Sequence, residues 1–517
     1  MMLHPAAANI SIPPDNLQAI QGLEPSSVWS QFAILSSIPR PSKQEEAILQ
    51  YIKDFAAHHN LSWKQDKVGN LALFYPGTVP DAPPVVLQGH VDMVTEKNSG
   101  TDHDFDKDPI RFEPNLVNGS WLTAQGTTLG ADNGIGVAVI LALLSTPTDD
   151  KTVMLPPLEA LFTVDEETGL TGAFALDASA LELKGKTMLN LDTEEWTELY
   201  VGCAGGGESF LTLPLEREAA TESEGKVVEL RVDGLLGGHS GINIHEGRGN
   251  AVMLCAAATQ AVLNQLDGVV KLVSLSGGDK HNAIAREAKA VLFLSNPDAE
   301  NAVKEIAERQ QEAAKAEFGV LEKNLRVVLL DSTEQNCGMP LTKTSSEKLL
   351  SMMLSLPHGA IKFSHAMPDL VETSNNVAAL TMPDGDKAVV LCSTRSSINT
   401  ALESARDKLA AVATLAGATI ERTPYYPGWN PNMDSEILKI AKDILAGKIG
   451  RSPGVKAIHA GLECGMLIEK LGGGVDALSF GPTITGAHSP DESINVETVP
   501  PFFDLVKEIL AQLAQKK

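Results

Sequence analysis

The 517-residue chain carries 66 acidic against 41 basic residues, a formal net charge of −25, which argues against a general affinity for nucleic acid or anionic membrane and suits a cation site. Its length exceeds what one hydrophobic core usually serves, so two or more domains are expected. Cys203, Cys255, Cys337, Cys392 and Cys464 are odd in number, scattered and without a Cys-x-x-Cys pair, which argues against a disulfide framework or a thiolate zinc site and leaves oxygen and nitrogen as metal donors.

Residues 1 to 24, rich in Pro, Ala and Asn, read as a loose lead-in with no basic region followed by an apolar core. The longest clean apolar run, Val137 to Leu144, is too short to span a bilayer, so a cytoplasmic protein with no membrane partner is expected. Ser42-Lys-Gln-Glu45 reads as a capping box opening an amphipathic helix. Strands follow at Leu71 to Phe74 and from Val85 into Gly89-His90-Val91-Asp92, and Gly130 to Gly136 opens a helix that runs to about Leu144.

The apolar, β-preferring run Leu158 to Val164 then empties into Asp165, Glu166 and Glu167. Three adjacent acids repel one another, and a bound cation would resolve the conflict, one acid coordinating it while another accepts a proton. Thr187 to Asp192 repeats the pattern of a strand ending in a polar residue. Ligands of open α/β sheets gather at the carboxyl ends of strands, so these segments are expected to converge.

The glycine run Gly202 to Gly207 reads as a hinge. Beyond it the order strand, helix, strand, strand, helix occurs twice, with strands opening at Val227 and Leu325, which suggests an internal duplication. Near Tyr425 to Trp429 the chain returns to the first domain. The expected fold is α/β, a mixed-sheet catalytic domain with helices on both faces, interrupted by an inserted α+β lid of two βαββα-type repeats. The boundaries are 1–24 for the lead-in, 25–207 and 424–517 for the catalytic domain, and 208–423 for the lid, its repeats at 226–322 and 323–423.

His90 and Asp92 sit two apart at a strand end, so a carboxylate can hold its neighbouring imidazole in one tautomer while the other ring nitrogen binds metal. Asp132 reads either as a ligand bridging two cations or as a helix N-cap. Asp192 and His488 are a strand-end acid and a loop histidine. Together His90, Asp132, Glu167, Asp192 and His488 form a mixed nitrogen/oxygen set suited to a pair of zinc ions or similar borderline metals, with Glu166 left unligated beside them.

The order of Gly89-His90-Val91-Asp92, Thr127 to Gly134, Glu166-Glu167, Asp192, Gly238-His239-Ser240-Gly241, His459 to Gly465 and Gly481 to Gly486 with His488 to Glu492 resembles the di-zinc family of aminoacylases, glutamate-releasing carboxypeptidases and Xaa-His dipeptidases. The resemblance runs from about Trp29 to the C-terminus. It implies that His90 and Asp192 hold one metal, Glu167 and His488 the other, and Asp132 both. It also implies that Asp92 steers His90, that Glu166 is the catalytic acid/base and that His239 leans over the substrate carbonyl.

Implied with these are two divalent ions, Zn2+ with Co2+ or Mn2+ as substitutes, dipeptide substrates and a homodimer, unless the duplicated lid stands in for the second subunit. Arg395 reads as a carboxylate clamp or a solvated strand-end residue, Asn282 as an oxyanion donor or a turn residue, and His459 as a substrate contact. His58, His59, His245 and His358 read as surface histidines. The activity expected is hydrolysis of Xaa-His peptides, β-alanyl-histidine included, and of other unblocked dipeptides; the alternatives are an N-acyl-amino-acid deacylase and a non-catalytic peptide-binding protein with structural metals.

Overall fold

A computed structural model describes residues 4–219, 225–332 and 338–516; Met1 to Leu3 of the expected lead-in and Cys337 lie outside them. The chain forms two compact units, Met1–Gly202 with Pro431–Ala457 and Leu462–Lys517, and Cys203–Asn430 with Ile458–Gly461.

In the first unit an eight-stranded sheet runs in the order Ser62–Gln65, Leu71–Tyr75, Leu158–Thr163, Val85–His90, Thr187–Asn190, Asp476–Ser479, Glu198–Cys203, Gly454–Ile458. The four central strands, from Leu158–Thr163 to Asp476–Ser479, are mutually parallel, while antiparallel strands flank them. Every residue of Val85–His90 and of Leu158–Thr163 is buried, as strands covered on both faces require. The helix Ala131–Leu144, apolar almost all round and buried everywhere except at Asp132, packs on Val85–His90. Parallel strands end on the same side, so His90, Glu166, Glu167 and Asp192 all leave the sheet at the carboxyl ends of its central strands.

Two local expectations fail in this unit. The helix after the Ser42 motif spans Glu46–His58, and Ser42 does not cap it; its hydroxyl donates to Asp92 at 2.8 Å, while Glu45 accepts the N–H groups of Lys43 and Asp165, both at 2.9 Å. The described part of the lead-in is not loose either. It holds a helix at Pro14–Ala19 whose buried Asn16 donates to the Ile110 carbonyl at 3.0 Å and accepts the Phe112 N–H at 2.8 Å. Two backbone partners for one buried amide fix the segment, where composition alone shows polarity.

In the second unit nine strands form one antiparallel sheet, in the order Arg326–Asp331, Lys226–Asp233, Ala288–Leu294, Val270–Gly277, Val371–Thr381, Lys387–Ser396, Gly205–Pro214, Thr419–Arg422, with Gly359–Phe363 paired to Val371–Thr381. Helices Ala251–Gln265, Glu300–Phe318, Lys343–Ser355 and Asn399–Ala416 contribute to its apolar core. The strand that opens the second run of elements, Arg326–Asp331, pairs with Lys226–Asp233 at the outer edge of the first run. The place beside Lys387–Ser396 is taken by Gly205–Pro214.

The glycine run, read as a hinge, contains the division between the two units, at Gly202/Cys203. It lies within and between strands, and a Cβ on Gly206 would come 2.7 Å from the Tyr426 hydroxyl, so glycine here serves close approach. Tyr426 exchanges backbone hydrogen bonds with Gly206, and Trp429 with Cys203, which keeps residues 425–429 in the second unit; the chain returns to the first at Pro431. His358 is not the surface histidine expected: its Nδ1 accepts the Val377 N–H at 3.3 Å, and burial lowers its pKa to about 4.

Candidate metal centre

Five of the residues singled out in the sequence meet beyond the carboxyl ends of the central strands of the first unit, and Asp132 stands between them. Its Oδ1 lies 3.0 Å from His90 Nε2, which is also 3.3 Å from Asp192 Oδ1. Its Oδ2 lies 3.4 Å from His488 Nε2, which is 3.0 Å from Glu167 Oε2. One carboxylate thus offers one oxygen to each of two groups, His90 with Asp192 and His488 with Glu167. Two ligands on a tetrahedral zinc ion are separated by about 3.3 Å, given metal–ligand bonds of about 2.0 Å. The four separations here, 3.0 to 3.4 Å, fit that spacing.

Single ligand atoms of His90, Asp132 and Glu167 also lie within 4.8 Å of one another, and Glu167 Oε1 is buried with no hydrogen-bond partner among the described residues. A buried carboxylate oxygen without a partner is costly, and a cation satisfies it. The donor set therefore fits a pair of borderline divalent cations.

Electrostatics point the same way. Burial, with Asp192, Glu463 and Glu167 adding to it and His90 opposing, pushes the Glu166 carboxyl well above its ordinary range. Burial likewise raises Asp192 to about 7 against the pull of His90, and raises Glu194, beside Asp132 and Asp192, to about 8. Hydrogen bonds to Asp132 and Glu167 outweigh burial and raise His488 to about 11. So many acids can stay ionised together only with positive charge among them.

Asp92 holds the arrangement from behind. Its Oδ1 is 3.3 Å from His90 Nδ1 and accepts the Glu166 N–H at 3.1 Å, while its Oδ2 accepts the Glu167 N–H at 3.2 Å and the Ser42 hydroxyl. Burial would raise Asp92, but His90, Ser42 and the Glu166 N–H bring it down to about 2. One carboxylate orients the His90 imidazole and both acids of the Glu166-Glu167 turn. Asp92→Asn is expected to weaken metal binding or activity by about 10–100-fold, read by zinc titration and turnover; unchanged values of both would refute the role.

The neighbouring Asp165 does neither job. At φ 49°, its carboxylate accepts the Thr168 and Thr171 hydroxyls and fixes the turn from strand to helix. Of the three adjacent acids, Asp165 thus fixes the turn, while Glu166 and Glu167 stand at the candidate centre.

Several supports were not read from the sequence. Glu492 accepts the N–H groups of Leu129, Gly130, Ala131 and Asp132 at 2.7 to 3.2 Å, gathering four donors of the loop that presents Asp132. Buried Arg40 donates to the carbonyls of Val91, Asp92 and Gly130, joining that loop to the end of the His90 strand. Glu463 accepts from Gln88 at 2.6 Å and from Thr163 at 2.8 Å, and burial lifts it to about 7 against His90, Thr163 and Gln88. Glu492 lies in the His488 to Glu492 segment, but a loop acid carries no signal of its four backbone partners.

The remaining candidates belong to the second unit. His239 Nδ1 accepts the N–H groups of Gly241 and Ile242, both at 3.1 Å, so in the neutral ring Nε2 carries the proton. Burial and the charges of Arg395 and His281 lower His239 to about 4, which keeps it neutral at physiological pH. Arg395 is buried and donates to Tyr426 Oη at 3.0 Å, and it forms no ion pair with a carboxylate among the described residues. His459 Nε2 is 2.7 Å from Ser374 Oγ, and burial with Arg395 lowers its pKa to about 3. Asn282 is exposed, and its backbone carbonyl accepts the Ser240 N–H at 2.7 Å.

The sequence profile described as Peptidase family M20/M25/M40 matches residues 86–512. The cytosol non-specific dipeptidase of Escherichia coli K12 is 38% identical over 502 residues, covering 97% of this chain and 100% of that protein. The crystal structure of aminoacylhistidine dipeptidase from Vibrio alginolyticus superposes with a TM-score of 0.87 at 39% identity, covering 95% of this chain and 98% of that one. Aminopeptidase PepT from Bacillus cereus, 15% identical with a TM-score of 0.53 over 95% of this chain and 100% of its own, shares the fold.

Proposed function

This chain belongs to peptidase family M20/M25/M40, and from that footing we propose that it is a metal-dependent dipeptidase that hydrolyses Xaa-His peptides, β-alanyl-histidine among them, and other unblocked dipeptides. The observation that carries this reading is the division of Asp132, one oxygen toward His90 and the other toward His488. His90 and Asp192 would hold one cation, Glu167 and His488 the other, and Asp132 both. Bound there, Zn2+, or Co2+ or Mn2+ in its place, supplies Lewis acidity that polarises a peptide carbonyl and acidifies water.

The chain's own groups do the rest. Glu166, oriented through its N–H by Asp92, takes a proton from the attacking water and returns it to the leaving amine. The His239 Nε2–H donates to the carbonyl oxygen as negative charge develops on it. Arg395, a buried guanidinium, receives the substrate carboxylate, with His459 and Asn282 as further substrate contacts. A cytoplasmic homodimer completes the reading; among the described residues no helix is long and apolar enough to cross a membrane.

The test is a panel of unblocked dipeptides against N-acetyl-amino acids, with and without a chelator. Dipeptides, β-Ala-His included, should be cleaved, activity should vanish with the chelator, and Zn2+, Co2+ or Mn2+ should restore it. Preference for the acetylated compounds would favour a deacylase, and no metal-dependent turnover of either set would favour a peptide-binding protein.

A further inference from the structure

Three imidazoles that take no part in the proposed chemistry meet where the turn Pro5–Ala7 packs against the end of helix Glu46–His58. His4 Nε2 lies 2.7 Å from His59 Nε2. The His4 ring centroid is 4.9 Å from those of both His58 and His59, and His58 and His59 are 5.1 Å apart. One ring nitrogen from each of the three lies within 4.8 Å of the others. The Phe55 ring, 4.7 Å from His4 and 4.5 Å from His59, packs against both.

Three bases this close repel one another once protonated, and two ring nitrogens at 2.7 Å need a single proton between them. Burial and the neighbouring histidines lower His4 to about 4, and burial with His58 lowers His59, so these two rings favour the neutral form, the one that binds metal. His58 is the last residue of its helix and His59 the C-cap, where the negative end of the helix dipole favours a cation.

We propose that His4, His58 and His59 form a further cation site, sharing no residue with the catalytic set, for Zn2+ or another borderline divalent metal that ties the N-terminal segment to helix Glu46–His58. The cation would replace the proton shared by His4 and His59, and the two nitrogens would part from 2.7 Å to the roughly 3.3 Å of zinc ligands. His4 Nδ1, which accepts the Ala6 N–H at 3.2 Å, would take up a proton and release that bond. Three protein nitrogens leave a fourth position to water, and nitrogen donors of this kind select Zn2+, Ni2+ or Cu2+ over Mg2+ or Ca2+.

The test is zinc uptake by the full chain after metal stripping, measured by equilibrium dialysis and metal analysis. The unaltered chain should bind one zinc ion more than the triple variant His4→Ala/His58→Ala/His59→Ala, and Asp132→Ala, which removes the shared catalytic ligand, should still take up that ion. His58 is exposed, so His58→Ala leaves the core intact and should by itself weaken this uptake by about tenfold or more while dipeptide turnover stays unchanged. Equal zinc content and affinity in the unaltered chain and His58→Ala would overturn the site, as would the absence of uptake in Asp132→Ala. Loss of dipeptidase activity alone would bear on the catalytic reading and not on this one.

Discussion

Glu166→Gln is expected to lower kcat for dipeptide hydrolysis by about 10²–10⁴-fold, the range that a positioned proton-transfer group contributes, while both cations stay bound. The asymmetry follows from what the two neighbouring acids touch. Glu167 Oε2 faces His488 at 3.0 Å, and both acids are held through their backbone N–H groups by Asp92, so amidation at Glu166 leaves the ligand set and the turn in place. Glutamine keeps the shape of the side chain but cannot accept and return a proton. Burial and the surrounding acids already raise the Glu166 carboxyl well above its ordinary range, and bound cations would oppose that rise, so that the group can accept a proton and then give it up. Steady-state kinetics paired with metal analysis checks the prediction. A variant that keeps most of its activity, or one that loses its metal, would count against the role.

Asp132→Ala should have the broader effect, loss of both cations and a fall in turnover of about 10³-fold or more, since it removes the one carboxylate that serves both groups. The fold should survive, because the N–H groups of residues 129 to 132 are held by Glu492 and not by the Asp132 side chain. Asp192→Ala is the informative control. Asp192 meets only His90 among the ligand imidazoles, so its removal should weaken one cation and spare the other. Metal stoichiometry after dialysis separates the two variants, with circular dichroism as the check on folding. If Asp132→Ala lost no more metal than Asp192→Ala, the shared-ligand arrangement would be wrong.

The parts of this centre that were legible beforehand are those that local patterning dictates. A run of β-preferring residues ending in His90, in Glu166-Glu167 or in Asp192 declares the strand and the polar group at its end, and parallel strands place such ends together. What stayed hidden depends on partners distant in sequence. Ser42 and Glu45 have the spacing of a capping box, yet Asp92 and the Asp165 N–H claim them, so tertiary contacts override a local motif. Arg40 and Glu492 look like ordinary surface charges until the backbone groups they gather are known.

Strand order in the second unit was hidden for a related reason. Short apolar runs announce strands but not neighbours, and Arg326–Asp331 and Gly205–Pro214 each occupy a place that a simple tandem duplication would not assign. Burial alternates from Ser209 to Leu213 as in a strand, but the preceding glycines carry no β preference of their own.

The most direct test of the shared metal centre is anomalous diffraction at the zinc edge from crystals of the full chain loaded with Zn2+. Two peaks are expected, one beside His90 and Asp192 and one beside His488 and Glu167, with Asp132 touching both. A single peak, or two peaks with no common ligand at Asp132, would contradict it.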